Sequence, residues 1–143
     1  MSEQNKSIVN QAYNNFKTGN IDGLLNLMAD DVTWTLPEME GVPFAGIRTG
    51  RAGVGEFFAT LAAVEDSLRF ESRELVAEGD KVIALGSYDW RVKTTAREFS
   101  GDFAHVWTIR DGKVVAFQEY TDTAAVRDAH QKAVSASGEI YGA

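Results

Sequence analysis

Two residues able to carry protons lie on the arms of a predicted β-hairpin over residues 101–122. His105 stands among apolar and aromatic residues on the first arm, and Glu119 stands between Phe117 and Thr121 on the return arm. Imidazole exchanges protons near neutral pH, and a carboxylate can take a proton from a substrate. Both groups are costly to bury without a partner, so a buried pair that meets in a pocket would be tolerated and reactive. The two residues are therefore candidates for general acid-base catalysis.

The turn "RDGK" at 110–113 decides whether the two candidates share a face of the hairpin. Side chains alternate across a strand, and His105 lies on the more apolar face of its own. With a two-residue loop, His105 is opposite Gln118, and Glu119 points to the other face. With a three-residue loop, His105 is opposite Phe117, and Glu119 becomes its diagonal neighbour at roughly 7 Å on the same face. The apolar pattern leaves both registers open, with a slight preference for the second.

The second half of the chain has the two-residue period of β-strands. Strands are predicted over 68–77, 81–93, 98–110 and 113–121, with hairpin turns at 78–81 and 110–113. The strand over 81–93 has one face that suits a cavity wall, because a glycine leaves room there and two aromatic residues offer flat surfaces. That face carries Val82, Ala84, Gly86, Tyr88 and Trp90, whereas Asp89 and Arg91 lie on the other.

The first half is predicted to be mainly helical. Helical spacing predicts helices over 3–18 and 52–64, and between them a helix capped by Asn20 or Asp22 that extends to Met28. A short strand around Trp34 is stopped by Pro37. Residues 37–50 contain both prolines and three glycines and are predicted to form a loop that acts as a mobile mouth.

A last helix is predicted within 121–134, with Asp122 or Thr123 as its cap, followed by a frayed tail from Gly138. Helices followed by an antiparallel meander indicate an α+β fold, in which the helices cover the apolar face of the sheet. A length of 143 residues suits one domain, expected over 1–143 with a core of about 5–130 and a tail over 137–143.

Composition excludes several classes of function. The net charge of −7 argues against a nucleic-acid surface, and the lack of cysteine excludes disulfides, thiolate catalysis and cysteine-bound zinc. Because the N-terminus is polar and no segment has the roughly 20 apolar residues of a membrane span, we expect a soluble, cytoplasmic protein.

Several segments, in this order, resemble the nuclear transport factor 2-like superfamily, and within it the SnoaL-like branch of polyketide cyclases and ketosteroid isomerase-like proteins. They are "LMADDVTWTLP", "GIRTGRAGVGEFF", "EGDKV" and "HVWTIRDGKVVAFQEYTDTAAV". The resemblance extends over about residues 5–130. It implies a cone in which a strongly curved antiparallel sheet wraps around N-terminal helices and encloses an apolar cavity.

The resemblance also implies which residues form the site. His105 and Glu119 would face one another in the cavity, which favours the three-residue turn. The chemistry would need no cofactor and no metal, and the partner would be a hydrophobic small molecule. The candidate pocket residues are Trp34, Phe44, Phe57, Tyr88, Trp90, Phe103, Trp107, Phe117 and Thr121.

Steroid isomerisation is not expected from this comparison. The steroid isomerases place a carboxylate base on the first strand, where this chain has Leu36. They also use a tyrosine on the first helix and an aspartic acid on the fourth strand, where this chain is expected to have Ala12 and His105.

The resemblance to two other enzyme classes of the superfamily, the epoxide hydrolases and the polyketide cyclases, differs in its catalytic residues. Epoxide hydrolases of the limonene type use an Asp-Arg-Asp set inside the cavity, but Asp89 and Arg91 are predicted to point outward. Polyketide cyclases place an acidic group on the last strand near a histidine, as Glu119 and His105 would be here. The resemblance is therefore best to the cyclases.

Other chemistry-bearing residues have simpler interpretations. The carboxylates at 30–31 are expected to be solvated, because no further metal ligands accompany them. His130 is expected to be exposed on its helix. Arg69 and Arg73 would bind an anion only if their face of the strand pointed inward, and the apolar Phe70 argues for the opposite face.

Two classes of function remain open at this stage. The first is a cofactor-independent isomerase or cyclase that abstracts a proton next to a carbonyl of a polyketide-like or terpenoid-like substrate. The second is a binding or dimerisation module without turnover, and an epoxide hydrolase-like activity is a further alternative. A homodimer is expected through the outer face of the sheet, where Ile83, Leu85, Val106 and Tyr120 form an apolar surface.

Overall fold

The structure is a computed structural model that describes residues 2–131, 133–134 and 140–141. Its helices are α1 (Ser2–Lys17), α2 (Ile21–Asn26), α3 (Gly50–Val64) and α4 (Thr123–His130). Its strands are β1 (Met28–Leu36), β2 (Gly46–Thr49), β3 (Glu65–Glu78), β4 (Lys81–Val92), β5 (Glu98–Arg110), β6 (Lys113–Thr121), β7 (Ala133–Val134) and β8 (Ile140–Tyr141).

Six strands form one curved, unclosed sheet in the order β2-β1-β6-β5-β4-β3. Its neighbours are antiparallel except for β1 and β6, which are parallel. In the chain, these two strands are separated by α3 and four other strands. The predicted α+β fold, with a strongly curved sheet around the N-terminal helices, is confirmed.

Three predicted element boundaries are wrong in detail. The second helix ends at Asn26, since the Leu27 amide donates to Leu24 and Met28 already belongs to β1. The predicted loop over 37–50 ends in a strand, β2, that pairs with β1. The last helix ends at His130 instead of reaching residue 134, because the chain becomes extended at Gln131. Most of the predicted tail from residue 138 lies outside the described residues, although β8 falls within it.

The register of the β5–β6 hairpin combines features of both predicted alternatives. The turn has two residues, Asp111 and Gly112, both with positive φ angles of 52° and 76°, as a type I′ turn requires. A β-bulge then shifts the register between the pairs Thr108–Ala116 and Ile109–Val114. The predicted three-residue loop is therefore wrong, but the bulge brings His105 and Glu119 onto the same face, now directly opposite each other.

The hydrophobic core lies between the helices and the concave face of the sheet. Strands β4 and β5 bury alternate side chains over much of their length, and the predicted inner face of β4 is confirmed. At Gly86 an added Cβ would lie 2.1 Å from the Glu71 carbonyl oxygen and 2.4 Å from the Phe103 ring, so only glycine fits there. Among the described residues, no helix has both the length and the apolar character needed to cross a membrane.

Candidate active site

A chain of hydrogen bonds runs from the core to the cavity through four side chains. The Trp107 Nε1–H donates to the Tyr13 hydroxyl at 3.0 Å. Tyr13 Oη lies 2.7 Å from His105 Nδ1, and His105 Nε2 lies 2.8 Å from Glu119 Oε2. The chain connects α1, which carries Tyr13, to strands β5 and β6. It ends at Glu119, whose side chain is 16 % exposed, whereas that of His105 is 5 % exposed.

The donors in this chain determine the tautomer of His105. An indole nitrogen can only donate, so Trp107 makes the Tyr13 oxygen an acceptor and leaves the phenol proton for His105 Nδ1. Burial raises the pKa of the Tyr13 phenol far above its ordinary value, although the Trp107 hydrogen bond lowers it, so the phenol keeps its proton. His105 Nδ1 is then the acceptor, and Nε2–H donates to Glu119. This assignment leaves Glu119 as the group that accepts a proton.

Tyr13 is a residue that sequence reasoning missed. From the resemblance to the steroid isomerases, Ala12 was expected at the position of their first-helix tyrosine. In the structure, Ala12 and Tyr13 both lie on the buried face of α1. The available signal was the polar hydroxyl of Tyr13 within an otherwise apolar helical stripe. Because a buried tyrosine hydroxyl usually finds a partner, that position could have predicted a contact with the sheet.

The cavity beside Glu119 is narrow and mostly aromatic. Its volume is about 90 Å³, small beside the ~300–1,000 Å³ typical of ligand pockets. Besides His105 and Glu119, the predicted pocket residues that line it are Trp34, Phe44, Phe57, Tyr88, Trp90, Trp107 and Phe117. Further lining side chains come from the helices and the mouth, among them Tyr13, Phe16, Met39, Phe58, Glu65 and Val126.

Two of the predicted pocket residues, Phe103 and Thr121, do not line the cavity but contact residues that do. The Phe103 ring stacks on His105 at a centroid distance of 4.0 Å, and it fills the space above Gly86. The Thr121 hydroxyl accepts a hydrogen bond from Tyr88 and donates at 2.9 Å to the Asp102 carbonyl oxygen. Both residues position lining side chains without facing the cavity themselves.

Tyr88 stands on the cavity wall with its hydroxyl hydrogen-bonded to Thr121. Burial raises the pKa of Tyr88 to about 12, the hydrogen bond to Thr121 lowers it, and the charges of Glu119, Asp122 and Glu65 raise it further. The phenol is therefore neutral at physiological pH, and its proton is already donated to Thr121.

A second glutamate–histidine pair borders the cavity, and it overturns the expectation that His130 is exposed. The His130 side chain is 5 % exposed, its Nε2 is hydrogen-bonded to Glu65 Oε2, and its ring packs edge-on against Phe44. Burial raises the pKa of Glu65, the hydrogen bond and charge of His130 lower it, and the charge of Glu119 raises it. The polar neighbours of His130 in sequence hid this burial.

The other charged candidates lie outside the cavity. Asp89 forms an ion pair with Arg69 at 2.8 Å on the outer side of the sheet, and the arginine lowers the pKa of Asp89. Arg91 pairs with Asp66, and Arg73 pairs with Asp102. The arginine face of β3 therefore points outward, as Phe70 had indicated. Among residues 2–131, no three potential metal ligands come together, and Asp30 pairs with Arg51.

The sequence matches a family model described as the SnoaL-like domain over residues 9–117. No protein of curated function matches the chain.

Solved structures with the same fold include two of about the same length. An NTF2-like protein from Burkholderia xenovorans LB400 is 31% identical over 92% of this chain and 98% of that one, with a TM-score of 0.83. TerC, co-crystallised with polyporic acid, is 32% identical over 89% of this chain and 98% of that one, with a TM-score of 0.79.

A more distant structure shares the fold alone. It is a protein with a ketosteroid isomerase-like fold from Catenulispora acidiphila DSM 44928, in complex with trimethylamine. It is 20% identical over 86% of this chain and 91% of that one, with a TM-score of 0.72.

Proposed function

Because the chain belongs to the SnoaL-like domain family, we propose that it is a cofactor-independent isomerase or cyclase acting on a hydrophobic, oxygenated small molecule. In this proposal Glu119 is the base that removes a proton next to a carbonyl, and His105 shares the proton as the second member of an acid-base pair. The hydrogen-bond chain from Trp107 through Tyr13 and His105 to Glu119 is the observation that carries it.

The geometry supports this division of roles. His105 Nε2–H holds one oxygen of the Glu119 carboxylate, which leaves the other oxygen for the substrate. The donors behind His105 fix its tautomer, so the base is oriented before the substrate arrives. Removal of water from the apolar cavity strengthens the interaction of the carboxylate with a carbon-bound proton. Positioned proton transfer of this kind contributes about 10²–10⁴-fold to a rate.

The walls support a flat ligand with oxygen substituents. The Trp34 and Phe117 rings stack at a centroid distance of 3.8 Å, and Tyr88 and Trp90 border the same space. TerC, a relative of similar length, was crystallised with polyporic acid, an aromatic hydroxyquinone. We therefore include aromatic polyketide-like molecules and hydroxyquinones in the proposed ligand class. A cavity of about 90 Å³ requires the mouth to open before such a ligand enters.

A binding module without turnover is the second candidate, and the small cavity is the observation that favours it. A ligand-binding or dimerisation domain needs the apolar walls but no oriented base. An epoxide hydrolase is less well supported, because Asp89 and Arg91 pair with residues outside the cavity.

Proton transfer can be measured directly with a panel of aromatic ketones, polyketide-like diketones and polyporic acid in deuterated water. We expect the wild type to exchange carbon-bound protons next to a carbonyl of at least one ketone or diketone. Polyporic acid serves as the binding probe for the same cavity. Glu119→Gln keeps the shape and loses the charge, so exchange should fall by about 10²–10⁴-fold.

Glu98→Gln is the matched control, since Glu98 is an exposed glutamate on the same sheet. Exchange that persists in Glu119→Gln at the wild-type rate would refute the assignment of the base. Ligand binding without exchange in the wild type would favour the binding module.

We also propose that the protein is a homodimer that pairs through the outer face of its sheet. The support is the exposure of Ile83, Leu85 and Tyr120 on that face.

A further inference from the structure

The Glu65–His130 pair is a buried acid-base pair that the proposed chemistry has not used. Glu65 is 4 % exposed, lines the same cavity as Glu119, and is hydrogen-bonded to His130. The pair joins the end of α3 to the end of α4, whereas the His105–Glu119 pair lies on strands β5 and β6. Two glutamates, each backed by a histidine, therefore border one small apolar cavity.

The ends of two helices favour a proton on the Glu65–His130 pair. Glu65 is the C-terminal cap of α3, where its amide donates to the Leu61 carbonyl oxygen, and His130 is the last residue of α4. A helix C-terminus carries partial negative charge, which disfavours a carboxylate and favours a bound proton nearby. The groups that face Glu65 are His130 from α4, Glu119 from β6 and Tyr88 from β4.

The two pairs therefore differ in what they can do. In the first pair, His105 accepts a hydrogen bond from Tyr13 and donates one to Glu119. The chain of donors therefore ends at the Glu119 carboxylate, which accepts a proton. The pair at Glu65 lies at negative helix ends and lines the same cavity as the negative Glu119, and this environment favours a retained proton. Titratable groups whose environments push their proton affinities apart mark the base and the acid of a site.

We propose that Glu65, held by His130, is the general acid of this cavity and protonates the ligand oxygen while Glu119 removes the carbon-bound proton. This inference rests on the proposed function, and it adds a second catalytic glutamate to the lining of the same cavity. It also narrows the substrate class to ligands that place a carbonyl oxygen near Glu65 and the adjacent C–H bond near Glu119.

The proton transfers balance without a further reactant. The C–H bond next to the carbonyl breaks, and its proton bonds to Glu119. The electron pair of that bond forms the C=C bond of an enol, and the carbonyl oxygen takes the proton of Glu65. The two carboxyl groups exchange protonation states, so the site keeps its net charge. Return of the Glu119 proton to the same carbon and of the enol proton to Glu65 completes an exchange. Delivery of the Glu119 proton to a different carbon of a conjugated enol, with the enol proton returned to Glu65, completes an isomerisation.

The test uses the same exchange assay with Glu65→Gln, which keeps a hydrogen-bond donor but cannot release a proton. We expect kcat to fall by about 10²-fold or more with little change in KM. In the wild type kcat should fall as rising pH removes the Glu65 proton, and Glu65→Gln should lose this pH dependence. In His130→Gln the falling limb should move to higher pH, since His130 lowers the pKa of Glu65.

A control separates proton donation from the docking of α4. Thr95→Val removes the 2.7 Å hydrogen bond from Thr95 to the Ala129 carbonyl oxygen, which also holds α4, and leaves Glu65 intact. We expect this variant to melt earlier and to keep the wild-type pH profile of kcat. A loss of kcat in Thr95→Val equal to that in Glu65→Gln would overturn the inference.

A second readout needs no ligand. The infrared difference between wild type and Glu65→Gln at neutral pH should contain the C=O stretch of a protonated carboxyl group. Absence of that band would overturn the role of Glu65 as an acid. Normal exchange in Glu65→Gln, with exchange lost in Glu119→Gln, would overturn this inference alone. No exchange by the wild type with any member of the panel would overturn the proposed function and this inference together.

Discussion

At the residue scale, two glutamate–histidine pairs border one apolar cavity. The pair of His105 and Glu119 was indicated by the sequence, because a charged or titratable residue on an apolar strand face needs a partner. Tyr13, Glu65 and His130 lie next to polar residues on helices or at helix ends, so their burial depends on tertiary packing. That packing cannot be read from local spacing, and the second glutamate–histidine pair was missed for this reason.

The His105–Glu119 unit leads to a prediction about additivity. If the two residues form one acid-base unit, His105→Gln and Glu119→Gln should each remove most of the proton-transfer activity. The double variant should lose little more proton-transfer activity than either single variant, because the effects of substitutions within one catalytic unit are not additive. Rates of exchange for both single variants and the double variant measure this.

Thermal melting of the same three variants provides the control. Each substitution replaces a polar group by one of similar size, so all three proteins should remain folded. A purely structural pair would give the opposite result, with turnover preserved and the melting temperature lowered by the loss of a buried hydrogen bond.

At the element scale, alternation predicted which strand faces are buried but could not predict the register of the β5–β6 hairpin. The "RDGK" turn was recognised, yet the β-bulge that follows it shifts every later pair by one residue. Nothing in the apolar pattern near Val115 signals this extra residue. The shared face of His105 and Glu119 was nevertheless predicted, because the apolar pattern slightly favoured it and the family resemblance implied it.

The mouth segment over 37–45 gives an element-scale prediction. Met39, Val42 and Phe44 are buried in the core, whereas Ile47 is 66 % exposed on β2. Arg48 holds the segment through hydrogen bonds to the carbonyl oxygens of residues 43–45. Since ligand entry requires the mouth to open, Arg48→Met should accelerate hydrogen exchange of the Val42 and Ala45 amides and speed the association of polyporic acid.

Arg51→Met is the matched control for the mouth. Arg51 is a neighbouring arginine that donates to the Met28 carbonyl oxygen and pairs with Asp30, so its hydrogen bonds lie outside residues 43–45. Exchange in the mouth segment as slow as in β5, in both wild type and Arg48→Met, would show that the segment does not open.

At the scale of the whole molecule, Glu65 should make stability depend on pH. Its pKa is raised on folding from an ordinary value of 4.5, so its contribution to stability is complete below that value. This contribution is lost as the pH rises through the raised pKa of the folded protein. The melting temperature of the wild type should therefore fall over this window, and that of Glu65→Gln should fall less.

Asp89→Asn provides a control of opposite sign. Arg69 lowers the pKa of Asp89, so the contribution of this carboxylate is present above its ordinary pKa and is lost as the pH falls through the lowered value. Equal slopes of melting temperature against pH for wild type and Glu65→Gln above pH 4.5 would contradict the assignment of the raised pKa to Glu65.

The outer face of the sheet leads to a prediction about the assembly. Strand pairing aligns Val106, Ile83 and Val76 in one row across the sheet, and Leu85, Ala104 and Tyr120 in the next. The first row continues through Gln118 and Thr35 to Ile47. Ile47 and Tyr120 are 66 % and 53 % exposed. Contiguous apolar surface of this kind marks an interface. We therefore expect sedimentation at micromolar concentration to give about twice the 15.7 kDa mass of one chain.

Charge placed on that face should separate the two copies. The double variant Leu85→Glu, Tyr120→Glu puts a carboxylate on two neighbouring strands of the face, and its desolvation in a dimer would be costly. We expect this protein to sediment as a 15.7 kDa species with an unchanged fold. Leu68→Glu is the control, because Leu68 is equally exposed but borders a groove with Phe16 and Lys17 on the helix side. A wild type that sediments as a single chain, or a Leu68 variant that dissociates equally, would contradict pairing through the outer face.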